Sequence, residues 1–207
     1  MAFRSVKSGV VLAGGKSSRF GKDKALIQLQ GKPLVEWVME VIDKVVDEVI
    51  LSLSSGPENY NFVGGFGKNI RIVIDAKPGF GPISGLYSSF KEAKGDYVAV
   101  APCDSPFVKP ELYTLLFNKA EGHDGAVPFI NNFWEPLHAV YRRKPFIVGL
   151  EKALSAGKNR PVDIYHHLNI KKVNQEEVKA VDAEALSFIN INKRDDLLKA
   201  EKIMKSR

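Results

Sequence analysis

The sequence predicts an α/β domain of the doubly wound kind, with a mostly parallel sheet covered on both faces. Three observations carry the prediction. Strand-length apolar runs alternate with segments whose apolar residues recur at helical spacing. The most polar loop openings follow the strands, where ligands of such sheets sit. The 207 residues, 44% of them hydrophobic and 26% charged, suffice for one full core.

The elements follow in order. Residues 10–12 form an apolar run between Gly9 and Gly14, the pattern of a strand buried on both faces. After Pro33, whose missing N–H is harmless in a first turn, Leu34, Trp37, Val38, Val41, Ile42 and Val45 recur at helical spacing. EVILSLS (48–54), NIRIVID (69–75) and DYVAVAPCD (96–104) read as strands. SGLYSSFKEAK (84–94) and KPELYTLLFNKAEG (109–122) read as helices. In the second half DGAVPFI (124–130) and LHAVYR (137–142) read as strands, and KPFIVGLEKALSAGK (144–158) as a helix stopped by Gly157. SFININ (187–192) reads as a last strand, followed by a helix in KRDDLLKAEKIMK. There is no repeat, low-complexity tract or long linker, so the expectation is one domain over residues 1–207.

Composition narrows the function. The N-terminal residues lack the apolar stretch of a signal peptide or membrane span, which predicts a cytoplasmic protein that engages no membrane. A single cysteine, Cys103, excludes an internal disulfide and a cysteine-cluster metal site, leaving oxygen ligands for any metal. The net charge of +6 would suit nucleic acid, but most lysines alternate with acidic neighbours on helix faces, so no nucleic-acid partner is expected. Only Lys16, Arg19, Lys22 and Lys24 cluster densely, directly after the first strand.

That cluster, with Ala13, Gly14 and Gly15, brings approachable backbone N–H groups and positive charge to one loop, as a polyphosphate requires. It is not a P-loop, because Val10 stands where that motif needs glycine, nor the dinucleotide fingerprint, because Gly14 and Gly15 are adjacent. The openings at AGGKSSRFG, Asp75 and CDSP fall at strand ends and predict one shared cleft. Asp104 reads as a turn former or a metal ligand, and Asp75 likewise as a turn or a ligand contact. Asn190 and Asn192, two apart, would share one face of a strand, either aimed at the cleft or at water. Trp134 suits stacking on a flat ligand or plain packing, and Lys158, Asn159 and Arg160 suit an incoming phosphate or a helix dipole. Cys103 reads as a small buried hydrophobe, and His138, His166 and His167 as surface or core histidines.

The run LAGGKSSRFGKDKALIQLQGKPL (12–34) resembles the signature of nucleotidyltransferases that open L-A-G-G-x-x-x-R-[MF]-G. IDAKPGFGPISGL, APCDSPFV, EPLHAVYRR and FININKRDDL continue the likeness in order to about residue 197, and it is strongest to the molybdenum cofactor guanylyltransferases. The resemblance implies a single three-layer α/β/α, Rossmann-like domain of the nucleotide-diphospho-sugar transferase kind, with a nucleotide half of about 8–106 and an acceptor half of about 107–207. It implies Mg²⁺-dependent transfer of GMP from GTP to the terminal phosphate of molybdopterin, with pyrophosphate leaving. Other cofactor-biosynthesis proteins or acceptor apoenzymes are the further partners it suggests.

Carried over by position, Arg19, Lys24 and Asp104 are the catalytic set. Leu12, Ala13, Gly14, Gly15, Lys24, Ser52, Asp75 and Asp104 hold GTP, and Asp104 the metal. Asn190, Asn192, Arg160 and Trp134 are candidates for the acceptor or metal side. Ser52 departs from the asparagine expected there. The alternatives are a sister enzyme (a molybdopterin cytidylyltransferase, a phospholactate guanylyltransferase or a sugar-phosphate nucleotidyltransferase) and a non-catalytic GTP or cofactor carrier. Gly14 in LAGG favours guanine over the sisters that carry alanine there, and Arg19, Lys24 and Asp104 together argue against a mere carrier.

Overall fold

The apolar runs become strands of one sheet in the computed structural model, which describes residues 6–13, 23–60, 63, 70–75 and 79–206. In chain order the elements are β1 (Lys7–Leu12), β2 (Gln28–Leu29), β3 (Lys32–Pro33), α1 (Leu34–Asp43), β4 (Glu48–Leu53) and β5 (Ile70–Ile74). Then come α2 (Pro82–Glu92), β6 (Tyr97–Pro102), α3 (Pro110–Ala120), β7 (Gly125–Ile130), β8 (Phe133–Trp134) and β9 (Ala139–Arg142). The chain continues through α4 (Arg143–Ser155), β10 (Ile170–Asn174), α5 (Gln175–Lys179) and α6 (Arg194–Lys205).

The main sheet has eight strands, ordered β10-β7-β9-β6-β1-β4-β5, with β8 paired to β7. β6, β1, β4 and β5 are mutually parallel, whereas β9 runs antiparallel to both β6 and β7. Because side chains alternate across a strand, β1, β4 and β6 feed two cores. Val11, Val49, Leu51, Ala99 and Ala101 pack on one face with α1, α3 and α5. Val10, Leu12, Ile50, Val98 and Val100 pack on the other with α2 and α4. A third, smaller core joins Leu29, Leu34, Phe107, Leu186, Ile191 and Ala200, so the β2–β3 hairpin, α1 and α6 close over one end of the sheet. No helix among the described residues is long and apolar enough to cross a membrane.

Two expectations are corrected. SFININ is not a strand: Leu186–Phe188 is a single 3₁₀ turn, and the chain from Ile189 to Asn192 pairs with no strand. Its apolar residues, Leu186 and Ile191, are buried in the third core rather than in the sheet. The strand that ends the sheet is instead β10, whose IKKVN pattern hides behind the lysines that protect an edge. The stop at Gly157 is as expected: its φ of +67° lets the Lys158 N–H reach back to the Ala153 carbonyl at 2.9 Å.

At the amino ends of the strands a buried carboxylate ties four segments together. Glu48 accepts from the Ser8 hydroxyl and the Lys94 N–H, each at 2.6 Å, and from the Arg71 guanidinium at 2.8 Å. Ser8 in turn accepts from the Gly95 N–H at 2.8 Å. Burial raises the Glu48 pKa, but the Ser8 and Lys94 hydrogen bonds and Arg71 outweigh it, and the net shift is downward. A depressed carboxylate contributes stability above its unfolded pKa and loses it as pH falls through the folded value. Glu48→Gln is therefore expected to cost about 1–3 kcal/mol at pH 7. Urea unfolding should show the gap to the parent protein shrinking below the ordinary glutamate range; equal stability at pH 7 would mean the carboxylate contributes nothing net.

Candidate active site

Parallel pairing puts the carboxyl ends of β1, β4, β5 and β6 on one edge, and there the expected residues gather. The Leu12 carbonyl accepts from the Cys103 N–H at 3.0 Å and the Ala13 N–H donates to the Ser52 carbonyl at 2.8 Å. These bonds extend the sheet one residue beyond β1 and set Cys103 and Asp104 beside it. The loop that follows contains Gly14, Gly15 and Arg19, which lie outside the described residues.

Lys24 returns to this edge from a 3₁₀ turn, Lys24–Leu26, capped by Asp23, whose carboxylate accepts from the Ala25 N–H at 3.1 Å. The other oxygen of Asp23 accepts from the buried Tyr60 hydroxyl at 2.6 Å, so the loop after β4 fixes the turn that carries Lys24. The Lys24 ammonium is ion-paired to Asp104 Oδ2 and donates to Asn192 Oδ1 at 2.7 Å. One cation thus joins residues that are 80 and 168 positions away along the chain. Both Lys24 and Asp104 are mostly buried, at 18% and 16% side-chain exposure, so water screens this pair less than a surface one.

The segment that carries Asn192 is held to the strand end directly. The Ile191 N–H donates to the Asp104 carbonyl at 2.9 Å, and Asn190 Oδ1 accepts from the Ser105 hydroxyl at 2.5 Å. Asn190 and Asn192 therefore reach the cluster from a loop and not from one face of a strand.

Asp75 lies just past β5, which β1 and β4 separate from β6, and its N–H donates to the Leu53 carbonyl at 2.8 Å. Its carboxylate accepts from the Ser52 hydroxyl at 3.1 Å, so serine at this position engages the aspartate itself. Burial raises the Asp75 pKa and the Ser52 hydrogen bond opposes it, with a net rise. Gly85, in the first turns of α2, makes this arrangement possible. A Cβ there would stand 2.7 Å from Ser52 Oγ, 2.9 Å from Asp75 Oδ1 and 3.3 Å from Leu12 Cδ2. A glycine within a helix is the sequence signal of such a close approach.

The remaining candidates sit farther out. Trp134 is wedged edge-on between Phe129 and Tyr165, with ring centroids at 5.1 and 5.4 Å, so its ring already has packing partners. Arg160 is 72% exposed and pairs with Asp163 at 2.9 Å. Its neighbour Asn159 lies against Gly81 at the start of α2, the carbonyl 3.3 Å from where a Cβ would be. Cys103 is buried, which pushes its thiol pKa well up and keeps it protonated. His166 and His167 are exposed, whereas His138 is buried. Sequence reasoning did not single out Ser105, Tyr60 or Gly85 as site residues. Among the described residues no three His, Cys, Asp or Glu side chains stand together as a metal site.

The comparisons with known proteins agree with this geometry. Residues 9–169 match the family described as MobA-like NTP transferase domain. The probable molybdenum cofactor guanylyltransferase of Methanosarcina mazei is 36% identical over 201 residues, 94% of this chain and 89% of that protein. The molybdenum cofactor guanylyltransferase of Desulfosudis oleivorans is 30% identical, with 96% of each chain covered. The crystal structure of molybdopterin-guanine dinucleotide biosynthesis protein A from Archaeoglobus fulgidus superposes with a TM-score of 0.82 at 29% identity, over 97% of this chain and all of that one. The 4-diphosphocytidyl-2C-methyl-D-erythritol synthase of Anaerococcus prevotii, at TM-score 0.75 and 15% identity, shares the fold. With the strand-end site and a match over most of its length, this chain belongs to the MobA-like NTP transferase family and is a nucleotidyltransferase.

Proposed function

We propose that this nucleotidyltransferase moves GMP from GTP to the terminal phosphate of molybdopterin. The observation that carries the reading is the meeting of one lysine ammonium with a carboxylate and an amide oxygen at the carboxyl ends of β1 and β6. The relatives' names supply the substrates. A phosphate oxygen of the acceptor bonds to the α-phosphorus of GTP, the bond from that phosphorus to the bridging oxygen breaks, and pyrophosphate leaves. A phosphate monoester is largely ionised near neutral pH, so its attack needs charge neutralisation and alignment rather than a general base.

The donor set fits Mg²⁺. Asp104 and Asn192 already turn hard oxygen atoms toward one cation, and this metal takes few protein ligands because it keeps several waters. Asp104 and Asn192 would hold it, and when bound it supplies neutralisation of the charge on the transferring phosphate. Lys24, together with Arg19, holds the polyphosphate chain electrostatically. Leu12, Ala13, Gly14 and Gly15 would hold the nucleoside through backbone contacts, with Ser52 and Asp75 as one polar pair and Gly85 leaving them room. Arg160 and Trp134 belong to the acceptor side. In this reading the chain is one nucleotidyltransferase domain acting in the cytoplasm, its nucleotide half about 8–106 and its acceptor half about 107–207.

Asp104→Asn keeps the shape of the side chain and removes its charge. Guanylyl transfer is expected to fall by about 10²-fold or more with little change in thermal melting, and to recover in part at high Mg²⁺ or Mn²⁺. Early melting with full specific activity in the folded fraction would make Asp104 a structural cap. Calorimetry with Mg²⁺ present is expected to rank GTP above CTP, UTP and ATP. Mass spectrometry of the product from GTP and purified molybdopterin should give the guanine dinucleotide, and equal CTP affinity with a cytosine product would move the chain to the cytidylyl reading.

A further inference from the structure

His138 has no part in the chemistry above, yet it is placed next to it. Its side chain is 2% exposed, and Nε2 lies 3.0 Å from Ser105 Oγ. With the Ser105 proton directed at Asn190 Oδ1, the tautomer protonated at Nε2 donates to Ser105 and completes the chain. Among the described residues buried Nδ1 has no hydrogen-bond partner and lies 3.9 Å from Glu135 Oε2, and the ring packs on Phe188 with centroids 5.1 Å apart. Burial pushes the imidazole pKa down to about 4, the Ser187 backbone pulling the other way, which keeps the ring neutral in ordinary buffers.

The chain His138–Ser105–Asn190 ends on the segment that delivers Asn192. Asn190 and Asn192 are exposed, and beside the Asn190 bond the segment is anchored by the Ile191 N–H bond to Asp104, the buried Ile191 side chain and the Asn192 N–H bond to the Asp196 carboxylate at 3.0 Å. An apolar anchor fixes depth but not rotation, whereas a directional hydrogen bond at Asn190 fixes both. His138 itself is set by the turn from Glu135, whose carbonyl accepts its N–H at 3.1 Å. The acceptor-side loop between β8 and β9 is thereby tied to the phosphate side of the cleft.

We infer that His138 is a positioning residue for the Lys24–Asp104–Asn192 cluster, acting through Ser105 and Asn190 on the loop that carries Asn192. The inference rests on the proposed nucleotidyl transfer for its kinetic consequence and on geometry alone for its structural one.

The test compares His138→Leu, His138→Gln and Ser105→Ala in the full chain, by hydrogen exchange at Ile191 and by steady-state kinetics. Glutamine offers an amide N–H where Nε2 stands; leucine fills space without one. In the leucine and Ser105→Ala variants the Ile191 amide is expected to exchange at least tenfold faster and kcat to fall about tenfold, with KM for GTP within twofold. The glutamine variant should recover most of both. Parent-like kcat and Ile191 protection in His138→Leu would overturn the inference. So would equal losses in the leucine and glutamine variants accompanied by a common drop in melting temperature, since that is space filling. If Ile191 protection follows the expected pattern while no protein, the parent included, transfers GMP, the positioning stands and the functional reading is what fails.

Discussion

A carboxylate and an amide oxygen held close together at a strand end need a cation, and much of this fold is arranged to keep one there. Lys24 answers Asp104 and Asn192, and each of the three arrives on a different kind of support. Asp104 follows a central strand, Lys24 rides a capped turn braced by Tyr60, and Asn192 lies on a loop pinned to Asp104's own backbone. Removing the support of Lys24 or of Asp104 leaves a partly buried charge without its ionic partner, which costs more than a surface ion pair is worth.

Stability and chemistry occupy opposite ends of the same strands. At the amino ends, Glu48 is fully paired and its pKa falls, the mark of a carboxylate engaged in holding segments together. At the carboxyl ends, Asp75 has one hydroxyl partner among the described residues and its pKa rises, because burial outweighs that single hydrogen bond. The division is what parallel strands permit, since one edge can be closed by the fold while the other is left to loops.

Most of the sheet and the placing of Asp75 and Asp104 just past strand ends were legible because their causes are local. Apolar runs such as 48–53 and 97–102 report burial on both faces, and polar residues within two positions of each end, Ser54 and Asp104, point to the carboxyl-end edge. What was not legible depends on partners distant in sequence. β10 reads as a lysine-rich loop until it is seen to be an edge, and SFININ reads as a strand because alternation looks the same whether the apolar residues enter a sheet or a small side core. The asparagines of that stretch meet Lys24 and Ser105 from a loop rather than from the expected strand. Ser105, Tyr60 and Gly85 matter through single contacts to residues far along the chain, which composition and spacing do not carry.

The distance of 168 residues between Lys24 and Asn192 also sets an order of events during synthesis. A ribosome that has made the chain through Asp104 has made Asp75, Asp104 and Lys24, but the loop that completes the cluster is still untranslated. Until Asn192 has emerged from the exit tunnel, Lys24 and Asp104 face each other without their third partner. A nascent chain can therefore assemble the parallel strands β6, β1, β4 and β5 long before the Lys24–Asp104–Asn192 cluster is complete, whereas the edge strand β10 and Asn192 follow late and close together in sequence.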